Sequence, residues 1–329
     1  MWNISIDEPR PFELLAPRTL EEAVELGSRH GKDAAFLAGG CDLLDQLKHQ
    51  WTAPHYVINL KSIPGLKGIR SEGNAITIGA LATLTEVERS TRNALPGLAR
   101  AASRVATPQI RNTGTIGGNL LQDSRCPYYR GPWYCYRAGG IVCDAHHGIN
   151  QEHAIFGGNR CYTVSPSDTA PILVALGSEV TVVSPAGKRQ IPIDGLFTTP
   201  EENITTMHRL GPNEVLTSIT IPLRSQQRST FIKYAMRNSW DFALASAAVA
   251  LEMDGGICRE CRIVLGGVAP APWRSRLAEQ EIEGKALNAG NIESAARAAI
   301  AGAKPLQYNE YKLALVKKLV RNALLELSA

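Results

Sequence analysis

Four cysteines, Cys126, Cys135, Cys143 and Cys161, fall within one loop-like stretch of a 329-residue chain, separated by eight, seven and seventeen residues. The other three, Cys41, Cys258 and Cys261, stand apart from it. Thiols gathered among glycines and aromatic residues can converge as thiolates on a metal centre. Zinc ribbons use paired Cys-x2-Cys knuckles, which these intervals lack. An iron–sulfur cluster asks only that four thiolates meet, and it tolerates irregular spacing. The spacing therefore favours a cluster, with zinc or inert cysteines as the alternatives. His146, His147 and His153 lie in the same stretch and could bind metal, although a histidine in a polar loop is more often only solvated. Cys258 and Cys261 have Cys-x-x-Cys spacing but fall in an expected strand. Side chains three apart on a strand face opposite sides, so no joint role is expected of them.

Two glycine-rich segments could hold a nucleotide. Leu37-Ala38-Gly39-Gly40-Cys41-Asp42-Leu43 reads as strand, turn and helix start. Backbone N–H groups at such a start can cradle a pyrophosphate, and the missing Cβ lets a phosphate come close. A plain tight turn is the bland alternative. The second segment, Thr113-Gly114-Thr115-Ile116-Gly117-Gly118-Asn119, supplies three glycines, two hydroxyls and an amide, all neutral donors for phosphate or ribose. It fits neither the Walker A nor the Rossmann fingerprint. Two such loops, each entered from an apolar segment, point to a dinucleotide beside a redox centre. Asp168, after Ser165-Pro166-Ser167, is placed to cap a helix or to bond a ribose or ring N–H. Lys233 is either a solvated strand residue or a cation near an electron-rich ring. Cys41 is most simply a small loop side chain.

The elements that must position these groups fall into three units. A strand–loop–helix–strand order over Ala34–Leu37, Asp42–Lys48 and Tyr56–Leu60 predicts a small α/β lobe with parallel pairing, preceded by a helix opened by a capping box at Thr19 and Glu22. Hairpins at 68–80 and 179–193, helices at 84–90, 95–105 and 167–176, and a strand at 215–222 predict an antiparallel α+β lobe. After a polar linker at 225–229 come strands at 231–237, 245–253 and 257–266, then helices ending at 308–327. The chain carries 44% apolar and 20% charged residues, an ordinary soluble composition, and a net charge of +4 without a basic run, which argues against nucleic-acid binding. No apolar stretch is long enough to span a bilayer, and the first residues lack the basic and apolar regions of a signal peptide. Reduced, clustered thiols fit the cytoplasm.

Taken in order, Ala38–Leu44, Arg111–Leu120, Ser165–Pro171, Ser218–Pro222, Lys233–Arg237 and Asp241–Ala243 resemble the flavin-binding medium subunits of the molybdenum hydroxylases, the xanthine dehydrogenase and carbon monoxide dehydrogenase family. The resemblance covers nearly the whole chain, with Cys41 where Thr is usual. The cysteine insert is similar to that of the 4-hydroxybenzoyl-CoA reductase medium subunit and of some bacterial aldehyde oxidoreductase flavin subunits. The resemblance implies an α+β fold: a bipartite FAD-binding domain of the p-cresol methylhydroxylase type over 1–224, with lobes at about 1–60 and 61–224 and an insert at about 122–163, and a C-terminal flavoprotein domain over 228–329. It implies FAD as cofactor, its pyrophosphate against 37–44 and 113–119, with Asp168, Leu216 and Lys233 against the isoalloxazine or ribityl chain. Cys126, Cys135, Cys143 and Cys161 would ligate an additional [4Fe–4S] cluster. No residue here is expected to be catalytic. Substrate chemistry would sit on a large molybdopterin-binding subunit, with two [2Fe–2S] centres on a small subunit and ferredoxin or another carrier outside. A stand-alone flavin oxidoreductase and a zinc-bound assembly subunit are the rival readings.

Overall fold

The computed structural model describes residues 9–328. Residues 1–8, assigned above to the first lobe and read as lacking a leader, lie outside the described residues, as does Ala329. The first lobe is a three-stranded parallel sheet, β1 (Glu13–Leu15), β2 (Ala34–Leu37) and β3 (Tyr56–Asn59) in the order β1-β3-β2, with helices α1 (Leu20–His30) and α2 (Leu43–Lys48). The β2–α2–β3 crossover pairs its strands in parallel, as the alternation of short apolar run, glycine turn and helix predicts. Thr19 Oγ1 caps α1 by accepting from Glu22 N–H at 3.1 Å. The Glu22 carboxylate takes the N–H of Arg18, one residue before the cap, at 2.8 Å.

The second lobe is an antiparallel sheet of β4 (Ile69–Glu72), β5 (Ala75–Gly79), β6 (Glu179–Ser184), β7 (Gly187–Pro192) and β8 (Val215–Pro222), in the order β4-β5-β8-β6-β7. Its helices are α3 (Leu84–Thr91), α4 (Pro96–Ser103), α5 (Pro108–Arg111), α6 (Ile116–Leu121) and α7 (Thr169–Ala175). The third sheet, β9 (Gln227–Tyr234), β10 (Ala245–Asp254), β11 (Ile257–Gly266) and β12 (Trp273–Arg274), is also antiparallel and runs β12-β11-β10-β9. It carries α8 (Arg276–Gln280), α9 (Ala289–Ala298) and α10 (Tyr311–Ser328). One buried cluster joins Leu98 and Ile172 of the second lobe to Phe231, Ala248 and Val264 of the third sheet, while the other face of β10 and β11 packs on α10 through Val316, Val320 and Leu324. Among the described residues no helix is long and apolar enough to cross a membrane.

Two expectations change. The polar run at 225–229 is only partly a linker, because β9 begins at Gln227 and stops at Tyr234, short of Arg237. As an edge strand it leaves Arg228 exposed while Ser229 and Thr230 are buried, and the Arg228 guanidinium donates to the Leu327 carbonyl at 2.8 Å. Cys258 and Cys261 do not face opposite ways. A bulge opposite the Glu252–Met253 step pairs Met253 with Cys258 and Glu252 with Glu260, leaving Arg259 as the extra residue. That extra residue turns both thiols inward, and both are fully buried in the apolar cluster under α10.

Candidate functional site

A cleft of about 810 Å³ opens where the turn after β2, the start of α6, the β8 strand and the 240–242 loop converge, within the size range of cofactor sites. Its floor depends on two glycines. A Cβ on Gly39 would collide with the Thr113 carbonyl oxygen and lie 3.1 Å from Gly114 Cα, so the two glycine loops touch backbone to backbone. A Cβ on Gly117 would lie 2.9 Å from the Ala80 carbonyl oxygen. Both α2 and α6 start at this contact, and first-turn amides have no acceptor within their helix. At α6 they are taken by the protein: Ile116 N–H by the Ala82 carbonyl at 2.9 Å, Gly117 N–H by the Ala80 carbonyl at 2.9 Å and Gly118 N–H by Thr115 Oγ1 at 3.1 Å. The Asn119 side-chain oxygen accepts from the hydroxyls of Ser167 at 2.7 Å and Thr169 at 2.6 Å. That fixes the amide with Nδ2 as its remaining donor, on a side chain that lines the cleft.

Of the expected binding residues, Ala38, Gly39, Gly40, Cys41, Asp42, Leu43, Gly114, Thr115, Gly117, Gly118, Asn119, Asp168 and Leu216 line the cleft. Leu37 does not: it packs beneath the turn with Leu47 and Val57. Thr113 is also not part of the lining and contributes its carbonyl to the loop contact. Lys233 stands behind the wall, not in it. Its ammonium donates to Asp168 Oδ2 at 2.6 Å and to the carbonyls of Asp241 at 2.8 Å and Arg104 at 3.1 Å, which uses all three of its N–H groups. Asp168 sits at the helix-cap position of α7, yet its carboxylate caps nothing; Ser167 Oγ receives Ala170 N–H at 3.0 Å. Burial pushes the Asp168 carboxyl up, and the Lys233 ammonium opposes that. Burial likewise raises the Cys41 thiol.

The four insert cysteines border one common space. Cys126, Cys135, Cys143 and Cys161 line one small void of about 10 Å³ together with Tyr129, His153 and Arg160. No three His, Cys, Asp or Glu side chains among the described residues are gathered around a single-ion position. The thiols share a space without being drawn onto one point, and side-chain rotation would have to widen it for a polynuclear centre. Burial pushes Cys126 up to about 12 and Cys161 up to about 11, with neighbouring thiols adding to the effect. His146 and His147 stay exposed and contact each other. His153 is buried, with Nε2 3.3 Å from Cys126 Sγ. The expectation that it is solvated fails because the irregular segment after it is stitched into the fold: Ile155 N–H donates to the Val268 carbonyl at 2.9 Å.

The insert is bonded to the cleft. Arg130 donates to Asp42 Oδ1 at 2.7 Å and Asp45 Oδ2 at 3.1 Å, and Arg125 lies 3.0 Å from Asp42 Oδ1. Asp42 Oδ2 receives Asp123 N–H at 2.7 Å. The Asp42 carboxylate is thus turned towards the insert, and only the rest of the residue is left for a ligand. Arg125, adjacent to Cys126, lines the cleft and lies over the Phe242 ring, 5.2 Å from its centroid.

Residues 10–224 match the family described as the FAD binding domain in molybdopterin dehydrogenase, and residues 230–327 match the CO dehydrogenase flavoprotein C-terminal domain. The chain belongs to the FAD-binding subunits of the molybdenum hydroxylases. This flavin subunit is 32% identical over 323 residues to the carbon monoxide dehydrogenase medium chain of Hydrogenophaga pseudoflava, covering 96% of each chain. It is also 32% identical over 311 residues to the aldehyde oxidoreductase FAD-binding subunit PaoB of Escherichia coli K12, covering 92% of this chain and 94% of that one. The solved carbon monoxide dehydrogenase from H. pseudoflava superposes with a TM-score of 0.77 at 31% identity, over 98% of this chain and 100% of that one. The flavin subunit binds FAD and is an oxidoreductase subunit of mixed α and β structure with antiparallel sheets. Its cleft suits FAD in size, and its floor is two glycine turns packed backbone to backbone, with the Asn119 amide donor beside them. Sequence reasoning passed over Gln122, Arg125 and Trp240, which also line the cleft, and named Phe242 only within the Asp241–Ala243 motif without a site role. The Gly-rich motifs drew attention to the phosphate end, and spacing alone does not tie Trp240 or Gln122 to it.

Proposed function

We propose that this chain is the electron-transfer flavin subunit of a heteromeric molybdenum hydroxylase or reductase. It would pass electrons among [2Fe–2S] centres on a small partner subunit, FAD, an additional [4Fe–4S] cluster and an external carrier such as ferredoxin, with substrate turned over on a large molybdopterin-binding subunit in the cytoplasm. The relatives named as a carbon monoxide dehydrogenase medium chain and an aldehyde oxidoreductase FAD-binding subunit support the flavin role. The observation that carries the cluster is the placement of Cys126, Cys135, Cys143 and Cys161 around one void, on an insert whose Arg125 also lines the FAD cleft. That insert is the ground for likening the chain to the 4-hydroxybenzoyl-CoA reductase type.

FAD, when bound, supplies an acceptor of electron pairs that can release them singly, which lets two-electron and one-electron carriers work together. The chain's own residues bind and orient it. Backbone groups of 38–43 would meet the pyrophosphate, with 114–119 packed beside them, Asn119 would donate from its fixed amide, and Leu216 and Asp168 would shape the ring or ribityl side. Lys233 holds Asp168 in place from behind. The four thiols would hold the cluster within the insert, among the half-buried rings of Tyr128, Tyr129, Tyr136 and Tyr162. In domain terms, 1–224 would be the FAD-binding unit, with its insert at 122–163, and 228–329 the C-terminal unit.

Dithionite titration with EPR on the anaerobically purified complex tests this. The expected result is a [4Fe–4S]+ signal separable from the [2Fe–2S] signals, alongside a full FAD content. Intact FAD with no such signal removes the cluster and its port, and iron without FAD removes the cleft assignment.

A further inference from the structure

His153 is the buried polar group that neither the cleft nor the thiol set explains. Only 4% of it is exposed. Its Nε2 lies 3.3 Å from Cys126 Sγ, while its Nδ1 is buried and has no partner among the described residues. An imidazole carries one N–H when neutral. If that proton sat on Nδ1, a donor would be buried unpaired. With it on Nε2, the proton points at sulfur, and only an acceptor lone pair is left without a partner. The backbone around the ring is fixed from outside the insert. The His153 carbonyl receives Lys312 Nζ at 3.0 Å and Asn309 Nδ2 at 3.1 Å, both from the α10 region. Its own N–H goes to the Asn150 carbonyl at 3.1 Å. Lys312 and Asn309 are themselves fully buried, so this mounting is rigid.

We infer that His153 is a positioning residue that donates an Nε2–H hydrogen bond to the Cys126 sulfur when that sulfur ligates the cluster, and so sets the cluster's reduction potential. The inference rests on the cluster reading above and deepens it. Ligand sulfurs gain negative charge on reduction, and a donor aimed at one stabilises the reduced form and raises the potential. The C-terminal unit, through α10, thereby holds the group that tunes a centre carried by the other unit's insert.

The test uses the full chain with FAD, its iron reconstituted anaerobically, and a redox titration followed by EPR. His153→Phe is expected to keep four irons per cluster and the FAD potential, while the cluster midpoint moves to a more negative value. His153→Gln, which can still present an N–H, is expected to return the midpoint most of the way. A His153→Phe protein with full iron and an unchanged midpoint overturns the inference. Pulsed EPR on wild-type chain carrying histidine labelled with 15N in the imidazole ring alone gives a readout that does not depend on a variant folding and leaves out the His146 backbone N–H, which is hydrogen-bonded to Cys143. A weak nitrogen coupling through sulfur supports the hydrogen bond, and no coupling, or one strong enough for direct ligation, overturns it. Failure of the wild-type chain to assemble any [4Fe–4S] cluster would be a different result, striking the underlying reading as well.

Discussion

Lys233 shows how a single residue can matter to a cofactor cleft without reaching it. From the sequence it is a cation in a strand, free to be solvated or to face a flavin ring. In the fold its ammonium is bound by one carboxylate and two carbonyls, with only 3% of the side chain exposed. Removing one partner of a buried pair strands the other, at roughly 3–5 kcal/mol. Lys233→Met is therefore expected to destabilise the protein by about that much at pH 8. The pH dependence has a definite sign. Asp168 is raised by burial even with Lys233 present, and without the lysine it is raised further. A carboxyl whose folded value exceeds its unfolded one stabilises the protonated folded state, and that stability is lost as pH rises from the ordinary carboxylate range through the folded value. The gap between variant and wild type should be smaller at pH 5.5 than at pH 8, read from urea unfolding midpoints. An equal gap at both would mean that Asp168 does not titrate in response.

At the scale of elements, the cleft is made by two turns packed closer than any side chain allows. Gly39→Ala would drive a Cβ into the Thr113 carbonyl and push α2 away from α6. FAD affinity is expected to fall at least about tenfold, or about 1.4 kcal/mol, in fluorescence titration of the apoprotein. Gly195→Ala is the control, since its Cβ would meet nothing within 4 Å. Wild-type affinity in Gly39→Ala would show that the loop contact does not shape the site. The turns themselves were legible, because a four-residue apolar run breaking into paired glycines and a helix leaves few alternatives. Three features were not. The strand β9 carries edge-strand polarity that reads as linker. The bulge at Arg259 is one extra residue with no composition of its own, yet it reverses where Cys258 points. His153 sits in a run as polar as those of His146 and His147. Its carbonyl is held by Asn309 and by Lys312 of α10, more than 150 residues away, and local sequence carries no sign of those contacts.

Over the whole molecule, the insert behaves as a brace. It reaches the first lobe through Arg130 to Asp42 and Asp45. It reaches the second through Arg137, which donates to the Ile204 carbonyl at 3.0 Å. It reaches the third through Asn309 and through Lys312, whose Nζ donates to the Glu152 carbonyl at 2.9 Å and the His153 carbonyl at 3.0 Å. A group that binds only the folded insert stabilises everything the insert is bonded to. Cys135→Ser combined with Cys161→Ser removes two of the four thiols, both buried in the wild type, and should leave the chain nearly free of iron. With FAD saturating, its Tm is expected to drop by at least about 5 °C, since each kcal/mol lost moves a chain of this class by roughly 2–4 °C. FAD should also dissociate faster, because Asp42 is held by the insert's arginines and lies on the loop that cradles the cofactor. Calorimetry and flavin-release rates on the iron-loaded and doubly substituted proteins measure both effects. Equal melting temperatures and equal release rates would show that the insert hangs on the fold without supporting it.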